Sequence, residues 1–422
     1  MKNYILTFII LIALSTFGKA QVLSYTVQKR TDMDAQKLTQ IDTVINEYLS
    51  KHWTSGMTVL VAKGNAVVYH KAFGYANENT KKPMPENAIY RIMSQTKAIT
   101  SLAVLQLFEK GKFGLDDPIG NFIPSFKNAK VIDQVNLTDT IYTTVPAKRQ
   151  VTIRDLLTHS SGIDYTDIGS AKMSAIYNKA GIPSGLGYFN ASLLERMTAL
   201  GSLPLAHQPG EKFTYGLNSD LLGCLVEIVS GMSLEAYCQK NIFDPLGMKD
   251  TYFNVPAEKA NRIPMVYTEN EKHEIIEWAP TYRKIDPNYP LIKKTYFSGG
   301  AGLSSTAYDY AIFLQMILNK GLYNAHQLIS PRTAELMLSP QLDYRKPGED
   351  NFSLGFSLTS EKNAALNLRN AGSFSWGGYY GTTYWGDPKA NLVVLIMTQH
   401  TPNSHGELKN KIENIIYGSF TK

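Results

Sequence analysis

The pattern of hydrophobic and polar positions changes character twice along the chain. Near the N-terminus, apolar residues at helical spacing predict a helix over 32–49. Two β-rich runs follow at 57–62 and 66–73, and the Gly64-Asn65 pair between them predicts a hairpin turn. The middle of the chain is mostly helical in pattern, with Gly and Pro between the segments. The predicted helices there are 99–108, 153–157, 221–229, 234–242 and 308–317.

Strand patterns return near the C-terminus, where Tyr, Thr, Val and Ile are enriched. They cover 352–358, 379–385 and 392–398, and a last helical pattern covers about 406–417. Strands at both ends with helices between them predict an α/β fold of the α+β type. In it, both termini build one mainly antiparallel sheet, which is flanked by helices and interrupted by an inserted helical region. The predicted boundaries are a sheet subdomain of about 21–93 with 331–422 and a helical insertion of about 94–330.

Two stretches show neither the helical nor the strand spacing of apolar residues. Residues 136–148 and 264–295 are predicted to be long irregular surface loops. Loops of this length beside a site often form its walls, and their sequences carry no further pattern that would identify a substrate.

The first twenty residues have the composition of a secretory signal peptide. Lys2 supplies the positive start, residues 4–14 the apolar stretch, and Gly18 and Ala20 the small residues of a cleavage site. The apolar stretch is shorter than the roughly 18–20 residues that span a membrane, so a membrane anchor is the less favoured alternative. We therefore expect an exported protein, periplasmic or extracellular, without stable membrane insertion.

Composition narrows the range of partners. The chain has 422 residues, of which 44% are hydrophobic, enough for a large core. Its formal net charge of +6 comes from scattered basic residues, so nucleic acid is not an expected partner. Cys224 and Cys238 fall in apolar helical patterns, where buried free thiols are favoured over a disulfide. The histidines and cysteines show no metal-binding spacing, so no metal is expected, and the oligomeric state is left open.

Candidate chemistry begins at Ser94 and Lys97, which precede an apolar run over 98–110 that ends at Gly111. Three residues apart on a helix, their side chains lie one turn from each other on one face. A nearby amine can take the proton of a serine nucleophile, and the positive end of a helix dipole favours the resulting anion. Because the helix is apolar almost all round, it is expected to be buried, which favours a neutral, basic lysine. The alternative is an N-capping serine beside a solvated lysine.

Six segments occur in an order that resembles the serine β-lactamase and penicillin-binding-protein superfamily, in its class C-like branch of esterases and peptidases. The resemblance spans roughly residues 35–415. It implies a β-lactamase/transpeptidase-like fold with the site in the cleft between sheet and helical region. The segments are 90–97, 151–162, 209–215 with 221–223, 243–248, 298–306, and 376–378 with 381–382 and 387–388.

The resemblance implies catalytic roles for three residues. Ser94 is the acyl-accepting nucleophile, and Lys97 activates it. Tyr215 stands where the family has the tyrosine of its Y-x-N motif, a second proton carrier that serves the leaving group and then the hydrolytic water. The alternative for Tyr215 is a packed core aromatic. Because every one of these groups belongs to the protein, no cofactor is implied.

A second set of residues is implied around the substrate. Trp376, Gly377 and Gly378 stand where the family has Lys-Thr-Gly or His-x-Gly on an inner strand, and two glycines let a strand approach a substrate closely. The backbone N–H groups of Tyr379 and Ser94 would form the oxyanion hole. The alternative is a glycine bulge in an edge strand.

The chain departs from the family pattern at two substrate-holding positions. Leu217 replaces the asparagine of Y-x-N, although Asn218 could serve in its place, and Trp376 replaces the lysine of Lys-Thr-Gly. Both departures argue against an efficient β-lactamase or transpeptidase, and an apolar tryptophan suits a neutral acyl or alcohol group. We expect a serine hydrolase that favours carboxylic esters. The alternatives are a D-amino-acid peptidase or amidase, a β-lactamase, or an acyl-binding sensor without turnover, so the expected partner is a small ester, amide or lactam.

His159 invites a different interpretation, a Ser-His-Asp triad. The chain has no G-x-S-x-G elbow, which disfavours an α/β-hydrolase. In the resembled family the segment that contains this histidine is structural. We therefore expect His159 to orient the loop near the site rather than to take part in the chemistry.

Overall fold

Both ends of the chain meet in one nine-stranded sheet, so the predicted fold is confirmed. The computed structural model describes residues 22–25, 32–185, 190–280, 282, 285–342, 344 and 349–421. The predicted signal peptide lies outside these residues. In spatial order the strands are Ser24–Tyr25, Ala66–Asn77, Gly56–Lys63, Leu392–Thr398, Thr383–Asp387, Phe374–Gly377, Ser357–Leu358 and Asn351–Phe352, with Lys82–Pro83 paired to Ala66–Asn77 outside this path.

The central strand of the sheet is Leu392–Thr398, which is buried along its whole length. It pairs antiparallel with Gly56–Lys63 on one side and with Thr383–Asp387 on the other, and Leu395 lies opposite Leu60. A strand that is buried on both faces needs apolar residues at every position. The uninterrupted apolar run in the sequence is therefore the expected signature of this strand, and its predicted bounds are confirmed.

The predicted N-terminal hairpin is confirmed, with strands Gly56–Lys63 and Ala66–Asn77. Gly64 and Asn65 form its turn and have φ angles of 57° and 66°. Two central residues with positive φ give a turn whose twist matches that of the strands, and Gly and Asn tolerate this conformation best.

Successive side chains of the central strands enter two different cores. Leu60 belongs to the larger core, which also contains most of the helix Thr96–Glu109. Its neighbour Val59 belongs to a second core on the opposite face, which the helices Gln40–Ser50 and Leu408–Gly418 close. Because successive residues of a strand face opposite sides, the period of two divides the apolar residues between the two cores. The helix that follows the candidate nucleophile is thereby packed in the larger core.

Helices make up most of the remaining regular structure. Cys224 and Cys238 lie on two of them and are buried and unbridged, as predicted. Within the described residues no single helix is long and apolar enough to cross a membrane, and Asn218–Ser230 with Leu234–Leu246 would qualify only as a pair bent by 77°. The subdomain boundaries remain a prediction. The helices are Ala35–Leu38, Gln40–Ser50, Thr96–Glu109, Ile153–Leu157, Ala171–Lys179, Leu193–Gly201, Asn218–Ser230, Leu234–Cys238, Asp244–Leu246, Ala307–Leu318, Pro331–Met337, Glu361–Leu366 and Leu408–Gly418.

One predicted loop is wrong and another is partly wrong. The chain over 136–148 belongs to a two-stranded hairpin, Lys130–Asn136 with Ile141–Pro146. Most of its positions are exposed on both faces, so burial imposes no alternation of polar and apolar residues there. The described residues of 264–295 are mostly irregular, as predicted, but they include a short hairpin. Its strands are Tyr267–Glu269 and Ile275–Glu277.

The strands near the C-terminus differ from the prediction in their bounds. Residues 352–358 form two short strands rather than one, because the chain turns at Gly355, whose φ is 120°. The strand predicted at 379–385 begins later, as Thr383–Asp387, and pairs with the unpredicted strand Phe374–Gly377. Of the two glycines that the sequence singled out, Gly377 ends the first of these strands and Gly378 lies in the turn between them.

Candidate active site

Ser94 lies in a single 3₁₀ turn that runs directly into the helix Thr96–Glu109. The preceding residue, Met93, has a φ of 48°, a left-handed conformation that is strained for a residue with a side chain and that is frequent at active sites. The Tyr310 hydroxyl holds the turn by donating to the carbonyl oxygen of Gln95 at 2.8 Å. Ser94 therefore lies in the 3₁₀ turn just before the N-terminal end of a buried helix, and not at the first position of that helix.

Lys97 brings an amine to Ser94. It is 3% exposed, and its Nζ donates to Ser94 Oγ at 3.3 Å and to the Gly300 carbonyl oxygen at 2.8 Å. The same nitrogen lies 4.6 Å from the centre of the Tyr215 ring and 5.4 Å from that of Tyr165. An amine within hydrogen-bond reach of a serine hydroxyl can accept its proton. The burial of Lys97 excludes the alternative of a solvated lysine.

Tyr215 stands between Lys97 and Trp376. The Trp376 indole N–H donates to the Tyr215 hydroxyl at 3.3 Å, and the centres of the two rings are 5.5 Å apart. The chain is fixed next to this tyrosine because the Thr214 N–H donates to the His159 carbonyl oxygen at 2.7 Å. Tyr215 is only partly buried. A phenol in this position, with an amine on one side and a donor on the other, can carry a proton between a serine and a leaving group.

Gly378 allows the turn after Phe374–Gly377 to approach the Ser94 segment. A Cβ atom at position 378 would overlap the carbonyl oxygen of Ile92 and the hydroxyl of Thr382. The turn is held by the Gly378 N–H, which donates to the Thr382 carbonyl oxygen at 2.8 Å. This close approach explains the glycine, and Tyr379 follows it directly in the chain. The oxyanion hole formed by the Tyr379 and Ser94 N–H groups remains a prediction.

Asn218 lies one layer behind the other candidate residues. Its side chain is fully buried, its Oδ1 accepts a hydrogen bond from the Ser161 hydroxyl, and its Nδ2 donates to His159 Nδ1 at 2.9 Å. Burial, followed by the charge of Lys97, holds the pKa of His159 well below its usual range, so this histidine is neutral. Asn218 therefore orients His159, whose ring lies 5.0 Å from that of Tyr215. Direct contact between Asn218 and a substrate remains a prediction.

Sequence reasoning missed two residues that border Lys97, namely Asp220 and Tyr165. A Cβ atom added to Gly300 would lie 3.0 Å from Asp220 Oδ2, 3.3 Å from Lys97 Nζ and 3.4 Å from Tyr165 Oη, so these three polar atoms converge on one spot. An acid near the start of an apolar helix is an ordinary first-turn residue, and for that reason the sequence carried no signal for Asp220.

The electrostatics of this group follow from its burial. Asp220 is fully buried, which raises the pKa of its carboxyl group above the usual range, although the nearby Ser298 hydroxyl and the charge of Lys97 oppose the shift. Burial, together with Tyr215 and Asp220, raises the pKa of Tyr165 well above 10. Within the described residues, no group of three or more His, Cys, Asp or Glu side chains could hold a metal ion.

Known proteins resemble this chain over nearly its whole length, including the residues of the candidate site. The family model described as Beta-lactamase matches residues 41–415. Esterase EstB of Burkholderia gladioli is 29% identical over 87% of this chain and 91% of its own length. A putative D-alanyl-D-alanine carboxypeptidase of Escherichia coli is 26% identical over 92% of this chain and 87% of its own. Among solved structures, "EstCE1, a hydrolase with promiscuous acyltransferase activity" superposes with a TM-score of 0.75 at 26% identity, covering 91% of this chain and 99% of its own.

Proposed function

This chain belongs to the beta-lactamase family, and from that premise we propose that it is a carboxylesterase that forms an acyl-enzyme at Ser94. It is a serine hydrolase of the family, as the esterase, carboxypeptidase and hydrolase names of its relatives indicate. The preference for esters is our inference. The observation that carries it is the contact between Trp376 and Tyr215, because an indole occupies the position at which the family pattern has a lysine.

The wall around this contact is aromatic. The Phe352 ring lies 5.3 Å from that of Trp376 and 5.2 Å from that of Phe213, so the indole continues into an apolar cluster. A cation on this strand would pair with a carboxylate of the substrate, whereas an aromatic wall gains free energy by contact with an uncharged acyl or alcohol group. The wall therefore favours a neutral ester over a lactam or peptide that ends in a carboxylate.

In the proposed acylation, Ser94, Lys97 and Tyr215 act one after another. Ser94 Oγ attacks the ester carbonyl carbon while its proton passes to Lys97 Nζ, 3.3 Å away. The N–H groups of Ser94 and Tyr379 hold the oxyanion. The carbon–oxygen bond to the alcohol then breaks, and the alkoxide takes up the Tyr215 proton, which Lys97 replaces with the proton that it took from Ser94. In deacylation the water oxygen attacks the acyl carbon while its proton passes through Tyr215 to Lys97, and Lys97 returns a proton to Ser94 Oγ as the acyl bond to Ser94 breaks.

The proposal is tested by initial rates on short-chain p-nitrophenyl esters with the wild-type protein and Ser94→Ala. Loss of at least about 10³-fold in the variant is expected, because a nucleophile has been removed. Ser101→Ala is the matched control, since Ser101 is a buried serine on the helix that follows Ser94 and lies outside the site. Unchanged activity in Ser94→Ala would overturn the assignment of the nucleophile.

The same proteins should be given nitrocefin and a D-alanyl-D-alanine peptide. Turnover of either at a higher kcat/KM than the best ester would favour the β-lactamase or D-peptidase alternative over an esterase. Stoichiometric acylation of Ser94 without turnover, detected as a stable mass increase, would instead identify an acyl-binding sensor.

We also propose that the protein is exported, on the basis of Lys2, the apolar stretch 4–14 and the small residues Gly18 and Ala20. The expected result of N-terminal sequencing after expression in a Gram-negative host is a mature chain that begins at Gln21. An uncleaved chain retained in the cytoplasm would contradict the proposal.

A further inference from the structure

Asp220 is a buried acid without an evident structural partner. It lies on the helix Asn218–Ser230 and is fully buried, and neither carboxylate oxygen meets hydrogen-bond geometry with any described residue. Removing a carboxylate from water costs several kcal/mol unless a cation or good hydrogen bonds compensate. A helix in this position would be more stable with an apolar residue, so the acid points to a role in the neighbouring site.

The cation that acts on Asp220 is Lys97. The side chains of both residues reach the space above Gly300, where an added Cβ atom would lie 3.0 Å from Asp220 Oδ2 and 3.3 Å from Lys97 Nζ. In the family pattern the asparagine of Y-x-N would occupy position 217, which here is Leu217. Asp220 is one helical turn further along and reaches the same lysine from the adjoining helix.

We propose that Asp220 is the buried counter-charge of the Lys97 ammonium and a positioning residue for the Ser94 reaction. The inference rests on the proposed roles of Ser94 and Lys97. When Lys97 takes the Ser94 proton it becomes an ammonium in a buried position, and the carboxylate of Asp220 stabilises that charge. When the proton leaves toward the departing alcohol, Lys97 returns to the amine. Asp220 thus stabilises the charge that forms on Lys97 during acylation, without touching the substrate.

Three other groups that face Asp220 have to be considered in any measurement against pH. Tyr165 approaches from the loop after the helix Ile153–Leu157, and Tyr296 and Ser298 from the segment before Gly300. Burial raises the pKa of both tyrosines well above 10. They stay neutral over pH 5–10, and the serine does not titrate, so none of the three adds a charge beside Asp220 in this range.

The test is the rate at which a fluorophosphonate labels Ser94 from pH 5 to 10, followed by intact mass. In this reaction Ser94 Oγ displaces fluoride from phosphorus and releases its proton to the base, so the rate reports serine activation with or without ester turnover. In Asp220→Asn the positive charge beside Ser94 loses its counter-charge, so the rising limb of the labelling rate plotted against pH is expected to move down by about 1–2 pH units. A lower rate at every pH with an unmoved limb would overturn the proposal.

A second variant keeps the test decisive if Asp220→Asn does not fold. Tyr296 favours the ionised form of Asp220 through its hydroxyl, so Tyr296→Phe should shift the limb in the same direction by a smaller amount. Asp309→Asn is the matched control, because Asp309 is also a buried acid but accepts from the Asp250 N–H and the Thr251 hydroxyl, which are not part of the site. The limb of this control should stay in place, and a shift equal to that of Asp220→Asn would overturn the proposal.

Ester hydrolysis by the wild-type protein, measured in parallel, separates this inference from the proposed function. A wild-type protein that is labelled at Ser94 but does not hydrolyse esters would contradict the esterase proposal. The pH dependence of its labelling rate could still be compared with that of Asp220→Asn. Esterase activity combined with an unmoved limb in Asp220→Asn would contradict only the role of Asp220.

Discussion

The substitution Gly378→Ala tests how closely the glycine turn must approach the nucleophile. A methyl group at this position would overlap the carbonyl oxygen of Ile92 and the hydroxyl of Thr382, so the backbone around it must move. The Thr382 hydroxyl can rotate away, but the Ile92 carbonyl belongs to the backbone that leads into Ser94. The turn therefore shifts away from Ser94 and carries the Tyr379 N–H with it.

The size of the effect follows from what that N–H is expected to do. Loss of one oxyanion-hole donor typically lowers kcat by about 10²–10³, equivalent to ~2.7–4 kcal/mol of transition-state stabilisation. We expect kcat of Gly378→Ala for a p-nitrophenyl ester to fall by about 10²-fold, with a smaller change in KM because the aromatic wall is retained. Fluorophosphonate labelling should slow in parallel, since phosphonylation develops negative charge on the same oxygen.

Gly418→Ala is the matched control, because a Cβ atom at position 418 meets nothing within 4 Å. It should retain wild-type kcat. Thermal unfolding of both variants establishes whether they fold. A folded Gly378→Ala protein whose kcat is within threefold of wild type would refute the argument that this turn positions the oxyanion hole.

Three further predictions concern single side chains. Trp376→Phe keeps the aromatic wall but removes the hydrogen-bond donor to the Tyr215 hydroxyl. The kcat should fall about 3–10-fold, the equivalent of ~0.5–1.5 kcal/mol. An unchanged kcat would show that this hydrogen bond does not contribute to catalysis. Burial raises the pKa of Cys224 to about 12 and that of Cys238 further, so neither thiol should react with Ellman's reagent at pH 8 until the protein is unfolded, and prompt reaction would contradict the burial. Burial lowers the pKa of His400 from its usual 6.5 to about 4. Between these two pH values His400 is protonated in the unfolded chain and neutral in the folded one. The free energy of unfolding should therefore decrease by up to about 3 kcal/mol as the pH falls through this range, and urea titrations at pH 7 and 4.5 should show a smaller decrease in His400→Asn.

Surface position explains the elements that sequence reasoning missed. The hairpin Lys130–Asn136 with Ile141–Pro146 is exposed at most positions, so no buried face selects apolar residues at every second place. The strand Phe374–Gly377 is short and half-buried, and it is held in the sheet by pairing with Ser357–Leu358 and Thr383–Asp387. Burial is the source of periodicity, and where burial is weak the pattern carries no information about the element.

The parts of this protein that depend on near neighbours were determined by the sequence itself. The run 392–398 formed the predicted strand, and Gly64-Asn65 formed the predicted turn. Ser94 and Lys97 came within 3.3 Å of each other because a single turn of chain separates them. In each case the interactions that decide the local structure lie within a few residues, so spacing and propensity are sufficient to predict it.

The contacts between distant segments were decided by the tertiary structure alone. Trp376 meets Tyr215 across 161 residues, and Lys97 meets the Gly300 carbonyl across 203. Asp220 reads in the sequence as a routine first-turn acid, and only the docking of its helix beside Lys97 makes it a buried counter-charge. The charge state and contacts of a side chain depend on how much water its neighbours exclude, and those neighbours are selected by the packing of helices and sheet rather than by proximity along the chain.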